Sequence, residues 1–151
     1  MIYIDTSAFV KRYHSEEGSD VVNRIFEDAR NGVKSIVISL WVVSETINAL
    51  DKHYLRGEIP KDEFKKVLAA IFNDIEKGIE CRYIQVVDIH REILGASWEY
   101  ITNDHISAGD ALHIATALYA GCDEFMAADK KLLKIAESKG LKPINPENII
   151  V

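Results

Sequence analysis

The segment Ser107-Ala108-Gly109-Asp110-Ala111-Leu112-His113-Ile114-Ala115-Thr116-Ala117-Leu118 is apolar around nearly the whole turn of a helix. It has no broad side to give to water, so residues 108–120 are predicted to form a central, buried helix. Asp110, in the first turn, is the exception. An acid there gains about 0.3–1 kcal/mol from the helix dipole. Burial without a cation costs a carboxylate more than that, or forces it to take up a proton. Asp110 is therefore read as functional. His113 falls one turn later on roughly the same face. It is read as a core histidine satisfied by a hydrogen bond and is left out of the site.

Outward from this helix, strands and helices alternate. Residues 1–4 read as a short apolar strand. Ser19 is placed as the cap of a helix with Val21, Val22, Ile25, Phe26 and Ala29 on its apolar face, ending at Asn31-Gly32. Residues 35–40 read as a buried strand, followed by a helix striped with Val43, Ile47, Leu50 and Tyr54 that stops near Gly57. Pro60 opens the next helix, whose face carries Phe64, Val67, Leu68, Ile71, Phe72 and Ile75. That face either packs inward or forms an interface between two copies of the chain. Residues 81–87 are β-like, and Asp88 is set as the cap of a helix from 89 to about 101. Residues 123–127 form a strand, 129–138 a helix with Gly140 as its C-cap, and 141–144 an edge strand. Strands joined by helical crossovers build a parallel sheet with helices on both faces, an α/β fold.

Composition narrows the function. The 151 residues are one domain's worth, read as a single domain over 1–151. With 48% hydrophobic and 28% charged residues, the chain is too apolar for disorder and too charged for a membrane span. The N-terminus lacks the basic region of a signal peptide. Cys81 and Cys122 form neither a disulfide framework nor a metal-ligand spacing, which suits a reducing cytoplasm. The net charge of −6 argues against a nucleic-acid partner, unless the acids gather around cations that reverse the local charge.

In an open parallel sheet the working cleft lies beyond the carboxyl ends of the strands. Asp5 follows the first strand, Glu45 lies in the first turns of the helix after the second, and Asp110 opens the buried helix. Asp129 lies just beyond the strand that ends near Ala127. Each has an ordinary alternative. Asp5, followed by Thr6-Ser7, suits an Asx turn or N-cap, Asp129 suits an N-cap, and Glu45 suits a solvated glutamate off the apolar stripe. Four carboxylates on one rim repel unless they share cations. All-oxygen ligation, without cysteine or a clear histidine, suits Mg²⁺ or Mn²⁺ rather than Zn²⁺. The chemistry that fits is phosphodiester hydrolysis. The chain has no Walker-type loop, no Gly-x-Ser-x-Gly elbow and no His-Glu-x-x-His helix. Lys130, Lys131, Lys134, Lys139 and Lys142 form the densest basic cluster, either a solvated face or a place where phosphates dock beside Asp129.

At these residues the sequence resembles the PIN domain family, in particular its stand-alone toxin nucleases of the VapC type. Ile4-Asp5-Thr6-Ser7, Val43-Ser44-Glu45, Asp110 through Ala117, and Ala128-Asp129 with Leu132 carry the resemblance, in the family's order. It implies a three-layer α/β/α fold around a central parallel sheet of four to five strands. It places Asp5, Glu45, Asp110 and Asp129 at a Mg²⁺ or Mn²⁺ site, as catalytic and metal-binding residues. It also implies endoribonuclease activity on single-stranded or looped RNA, a homodimer, and a cognate antitoxin protein that holds the enzyme inactive. The family often carries Thr or Ser two positions before the fourth acid, where this chain has Ala127. Other readings are a PIN-like RNA- or protein-binding module and a housekeeping RNA-processing nuclease. A phosphoacceptor signalling domain ranks lower, because Asp5 has no adjacent acidic partner.

Overall fold

The computed structural model describes residues 1–148, so the last three residues of the expected 1–151 domain lie outside the described residues. Among the described residues, five strands form one sheet: β1 (Ile2–Ile4), β2 (Ile36–Ser39), β3 (Ile84–Val87), β4 (Glu124–Met126) and β5 (Lys142–Ile144). Their order is β3-β2-β1-β4-β5, and every neighbouring pair is parallel. Ile2, Tyr3 and Ile4 of β1 and Ile36, Val37 and Ile38 of β2 have no exposed surface. A strand covered on both faces reads as a continuous apolar run, as parallel strands under helices do. The chain steps from β1 to β2 and β3 on one side, then crosses to β4 and β5 on the other. The order therefore reverses between β1 and β4, and a crevice opens at their carboxyl ends.

Seven helices flank the sheet among the described residues: α1 (Thr6–Phe9), α2 (Ser19–Arg30), α3 (Leu40–Leu55), α4 (Lys61–Glu80), α5 (Arg91–Asp104), α6 (Ala108–Tyr119) and α7 (Lys130–Ser138). This is the expected α/β/α architecture. Residues Ala111 to Ala117 of α6 are all buried, with α5 packed along the helix. α2 buries the five residues its periodicity marked. α4 buries Ile71 and half-buries Phe64, Val67, Leu68 and Ile75, while Phe72 stays 53% exposed.

The departures are at element ends. Gly18, not Ser19, is the N-cap of α2. It sits at φ +86°, and a Cβ there would come within 2.9 Å of the Pro146 carbonyl carbon, so only glycine fits. The Ser19 hydroxyl instead accepts from the Glu16 N–H at 3.0 Å. Ser39 ends β2 and caps α3 by accepting from the Val42 N–H at 3.1 Å, which moves Leu40 from strand to helix. The expected cap at Asp88 is not formed: α5 begins at Arg91 after His90, with no side-chain cap bond. The most buried row of α3 is Val42, Thr46 and Leu50: Leu50 belongs to the predicted stripe, while Val42 and Thr46 stand one position ahead of Val43 and Ile47.

Candidate active site

Asp5 is the first residue beyond β1, and its N–H donates to the Met126 carbonyl of β4 at 3.0 Å. Its Oδ1 accepts from the Ala8 N–H at 3.0 Å and from the Ser7 hydroxyl at 2.8 Å, which makes it the N-cap of α1. The expected cap is therefore formed, by a carboxylate that also lines the site cleft. Asp5 is only 4% exposed. Burial pushes its carboxyl up from 3.8 to about 6; His113, Ser7 and the Ala8 N–H pull against that, and Asp110 adds to it. Ser7 does a second job, accepting from the Ala128 N–H at 2.8 Å. It thereby ties the loop that carries Asp129 to Asp5. Ala127, at the position where the family often has a hydroxyl, is fully buried and lies outside the cleft lining.

Glu45 comes from the second turn of α3. It is part-buried and accepts from the Thr6 hydroxyl, while its Oε2 lies 2.8 Å from His113 Nε2. Burial pushes its carboxyl up, but hydrogen bonds from His113, Thr6 and Trp41 outweigh that and hold it below its usual range. Gly109 clears the space. A Cβ there would stand 3.1 Å from Glu45 Oε1 and 3.4 Å from the Trp41 indole nitrogen. His113 is buried and hydrogen-bonded, as expected, but it is not remote from the site. Its Nδ1 meets the Tyr3 hydroxyl at 2.9 Å, and that hydroxyl lies 3.1 Å from the Ser39 hydroxyl. A carboxylate only accepts, so Nε2 carries the proton it shares with Glu45. Its placement one turn after Asp110 on the same face is the sequence signal for this role.

Asp5, Thr6, Ser7, Glu45, Asp110, His113 and Asp129 all line one cleft of about 430 Å³. All four predicted acids are brought to it. The burial is redistributed, however: Asp110 is half-buried at the start of α6, and Asp5 is the desolvated member. Asp129 is exposed and caps α7, accepting from the N–H groups of Lys131 at 2.7 Å and Leu132 at 3.0 Å. Among the described residues, no three His, Cys, Asp or Glu side chains stand close enough to form a ready-made ion site. The donor chemistry still fits a hard cation: four carboxylates and two hydroxyls, with no thiolate. Burial and the nearby Asp110 push the Asp5 carboxyl up further than His113, Ser7 and the Ala8 N–H pull it down, so a cation beside it would be favoured.

The lysine cluster does not enter this cleft. Lys131 donates to the His105 carbonyl, Lys139 pairs with Asp104 and Lys142 with Glu124. The basic groups that do line it are Lys52 and Arg56, with His53, near the far end of α3. Along the sequence they sit where cations ordinarily serve a helix C-terminus, so spacing alone does not mark them.

A cleft with four acids at the carboxyl edge of a parallel sheet, opened where the strand order reverses, lies where open α/β domains bind their ligands. The PIN domain family model matches residues 2–138, and the chain belongs to that family. Among curated proteins, none matches the sequence. Solved structures with the same fold include VapC20 of Mycobacterium tuberculosis, described as a sarcin-ricin loop cleaving toxin. It is 16% identical, with a TM-score of 0.64 over 93% of this chain and 96% of that one. FitAcB of Neisseria gonorrhoeae is 15% identical, with a TM-score of 0.65 over 99% and 100%. VapBC2 of Rickettsia felis, solved with a DNA fragment from its promoter, is 18% identical, with a TM-score of 0.62 over 96% and 98%. Among the described residues, no helix is long and apolar enough to cross a membrane.

Proposed function

We propose that the chain is a Mg²⁺- or Mn²⁺-dependent endoribonuclease, acting as one domain over residues 1–151, and the toxin of a toxin–antitoxin pair. The observation that carries this reading is the meeting of four carboxylates from four distant segments in one cleft, in a member of the PIN domain family. Asp5 and Asp110 are the principal ligands, with Glu45 and Asp129 completing the set. Asp5, Glu45, Asp110 and Asp129 would hold a divalent ion, which would supply Lewis acidity toward water and toward the phosphate oxygens. The chain's own part is positional. Ser7 fixes Asp5 and the Asp129 loop to each other, and His113 with Thr6 orients Glu45.

The toxin assignment and an antitoxin partner draw support from neighbours solved as VapBC2, FitAcB and a Klebsiella pneumoniae toxin–antitoxin complex. The homodimer expected from sequence stays part of the proposal: α4 leaves Phe72 and Ile79 exposed, and light scattering at micromolar concentration tests it. The cytoplasm is the matching compartment, where RNA and thiols kept reduced occur together.

Cleavage of single-stranded RNA by metal-stripped protein, with and without added Mn²⁺ or Mg²⁺, is the test. Activity restored by metal and abolished by EDTA is expected; full activity in excess chelator overturns the reading. A second reading, a PIN-like binding module with little turnover, has one observation in its favour, because the acids stop short of a ready-made ion site. RNA binding without cleavage at any metal concentration selects it. Growth arrest on expression, relieved by a co-expressed partner, separates a toxin from a housekeeping nuclease.

A further inference from the structure

Glu45, Asn48, Ala49, Lys52 and Arg56 all line the cleft and recur at helical spacing, so one face of α3 forms a wall of it. The wall begins at a carboxylate of the acidic site and ends at two cations. Eleven residues at 1.5 Å each separate Glu45 from Arg56, about 16 Å of helix. Asn48 offers an amide between the two ends, and Ala49 keeps the floor low. A chain that turns away nucleic acid by its net charge of −6 thus presents cations on the wall leading out of its own acidic site.

We propose that this face of α3 is a track for the sugar-phosphate backbone of single-stranded RNA, with Lys52 and Arg56 taking phosphates on one side of the cut. The proposal rests on the ribonuclease reading. Lys52 is exposed, and among the described residues no acid pairs with it. Arg56 is held in reserve: its Nε donates to Glu58 Oε1 at 2.6 Å and its Nη2 to Oε2 at 3.2 Å, and His53 shares the same carboxylate. Glu58 takes up the guanidinium donors that a phosphate would need. Exposed pairs of this kind are weakly held, so a phosphate can displace the carboxylate. The usual role of cations at a helix C-terminus explains their presence near residue 56. It does not explain why they line the same cleft as the acids.

The two groups make opposite predictions. Binding of a short, fluorescently labelled single-stranded RNA in EDTA is followed by anisotropy across a salt series, for wild type, K52Q, E58Q and K134Q. Each phosphate contact on a single strand contributes about 0.7 to the slope of log affinity against log salt. K52Q is expected to bind several-fold more weakly at low salt, with a slope shallower by about 0.7. E58Q is expected to bind more tightly than wild type, and K134Q, on the α7 cluster outside the cleft, to match it. Steady-state cleavage in Mn²⁺ is the second readout, with KM raised several-fold in K52Q and kcat retained. Wild-type slope and KM in K52Q, or a loss of slope in K134Q instead, overturn the track. The parent reading fails separately: wild-type protein that binds RNA through Lys52 yet never cleaves it removes the nuclease and keeps the track.

Discussion

Replacing Asp5 by Asn removes a buried charge while leaving the cap in place. The amide oxygen still accepts from the Ala8 N–H and the Ser7 hydroxyl, and Asn caps helices about as well as Asp. Burial holds the folded carboxyl near 6 against an ordinary 3.8, so the native state binds the proton more tightly than the unfolded chain does. Stability of the wild type therefore falls as pH rises from 3.8 to about 6, and it stays lower above that window. At 1.36 kcal/mol per unit, the gap amounts to about 3 kcal/mol at neutral pH. Asn forgoes about 0.3–1 kcal/mol of interaction with the α1 dipole, a small offset in so short a helix. About 2 kcal/mol net corresponds to about 4–8 °C in a domain of this size. Asp5→Asn is thus expected to melt about 4–8 °C above wild type in EDTA at neutral pH, with the gap closing in melts at about pH 3.5. Millimolar Mn²⁺ is expected to raise the wild-type Tm and to move the variant much less. A variant less stable than wild type in EDTA, or an advantage that persists unchanged in acid, refutes the argument.

Asp110→Asn is expected to abolish RNA cleavage with folding intact, while Asp129→Asn, at an exposed position, weakens it less; initial rates beside circular dichroism check both. Tyr3→Phe leaves His113 Nδ1 without its buried partner and takes one of two partners from the Ser39 hydroxyl, and is expected to cost about 1–3 kcal/mol in urea unfolding. It should also slow cleavage through the loosened His113–Glu45 contact, and Tyr3→Phe at wild-type stability would discard that chain. Gly78→Ala sets a new Cβ 2.4 Å from Ile84 Cδ1 and is expected to destabilise by about 1–3 kcal/mol. Gly95→Ala, with nothing within 4 Å, is expected to gain about 0.5–1 kcal/mol, so thermal melts of the pair separate by sign.

Periodicity carried the fold well. The five buried residues of α2 and the buried run of α6 are the ones the apolar pattern marked, because burial of a helix face is written locally at 3.6-residue spacing. Caps were less legible. Ser19 looks like a cap from its neighbours alone, whereas Gly18 caps because the segment from Pro146 passes within contact distance from the other end of the chain. The same division runs through the site.

Asp5, Glu45, Asp110 and Asp129 were named from sequence, since strand ends and helix starts are local features and the carboxyl-edge rule places them on one rim. Which of them is desolvated was not legible. Asp110 sits on the more apolar segment, yet Asp5 is buried, because β4 lies directly beside it through the Met126 carbonyl. Nor did the sequence show that His113 reaches Glu45, or that Lys52 and Arg56, rather than the lysines after Asp129, face the cleft. What the sequence determined by itself is the alternation of elements, the parallel sheet and the identity of the acids, all of which depend on spacing along one segment at a time. Burial of a particular charge, the partner of a particular histidine and the direction a cation faces depend on what other segments bring alongside, and only the tertiary structure decided those.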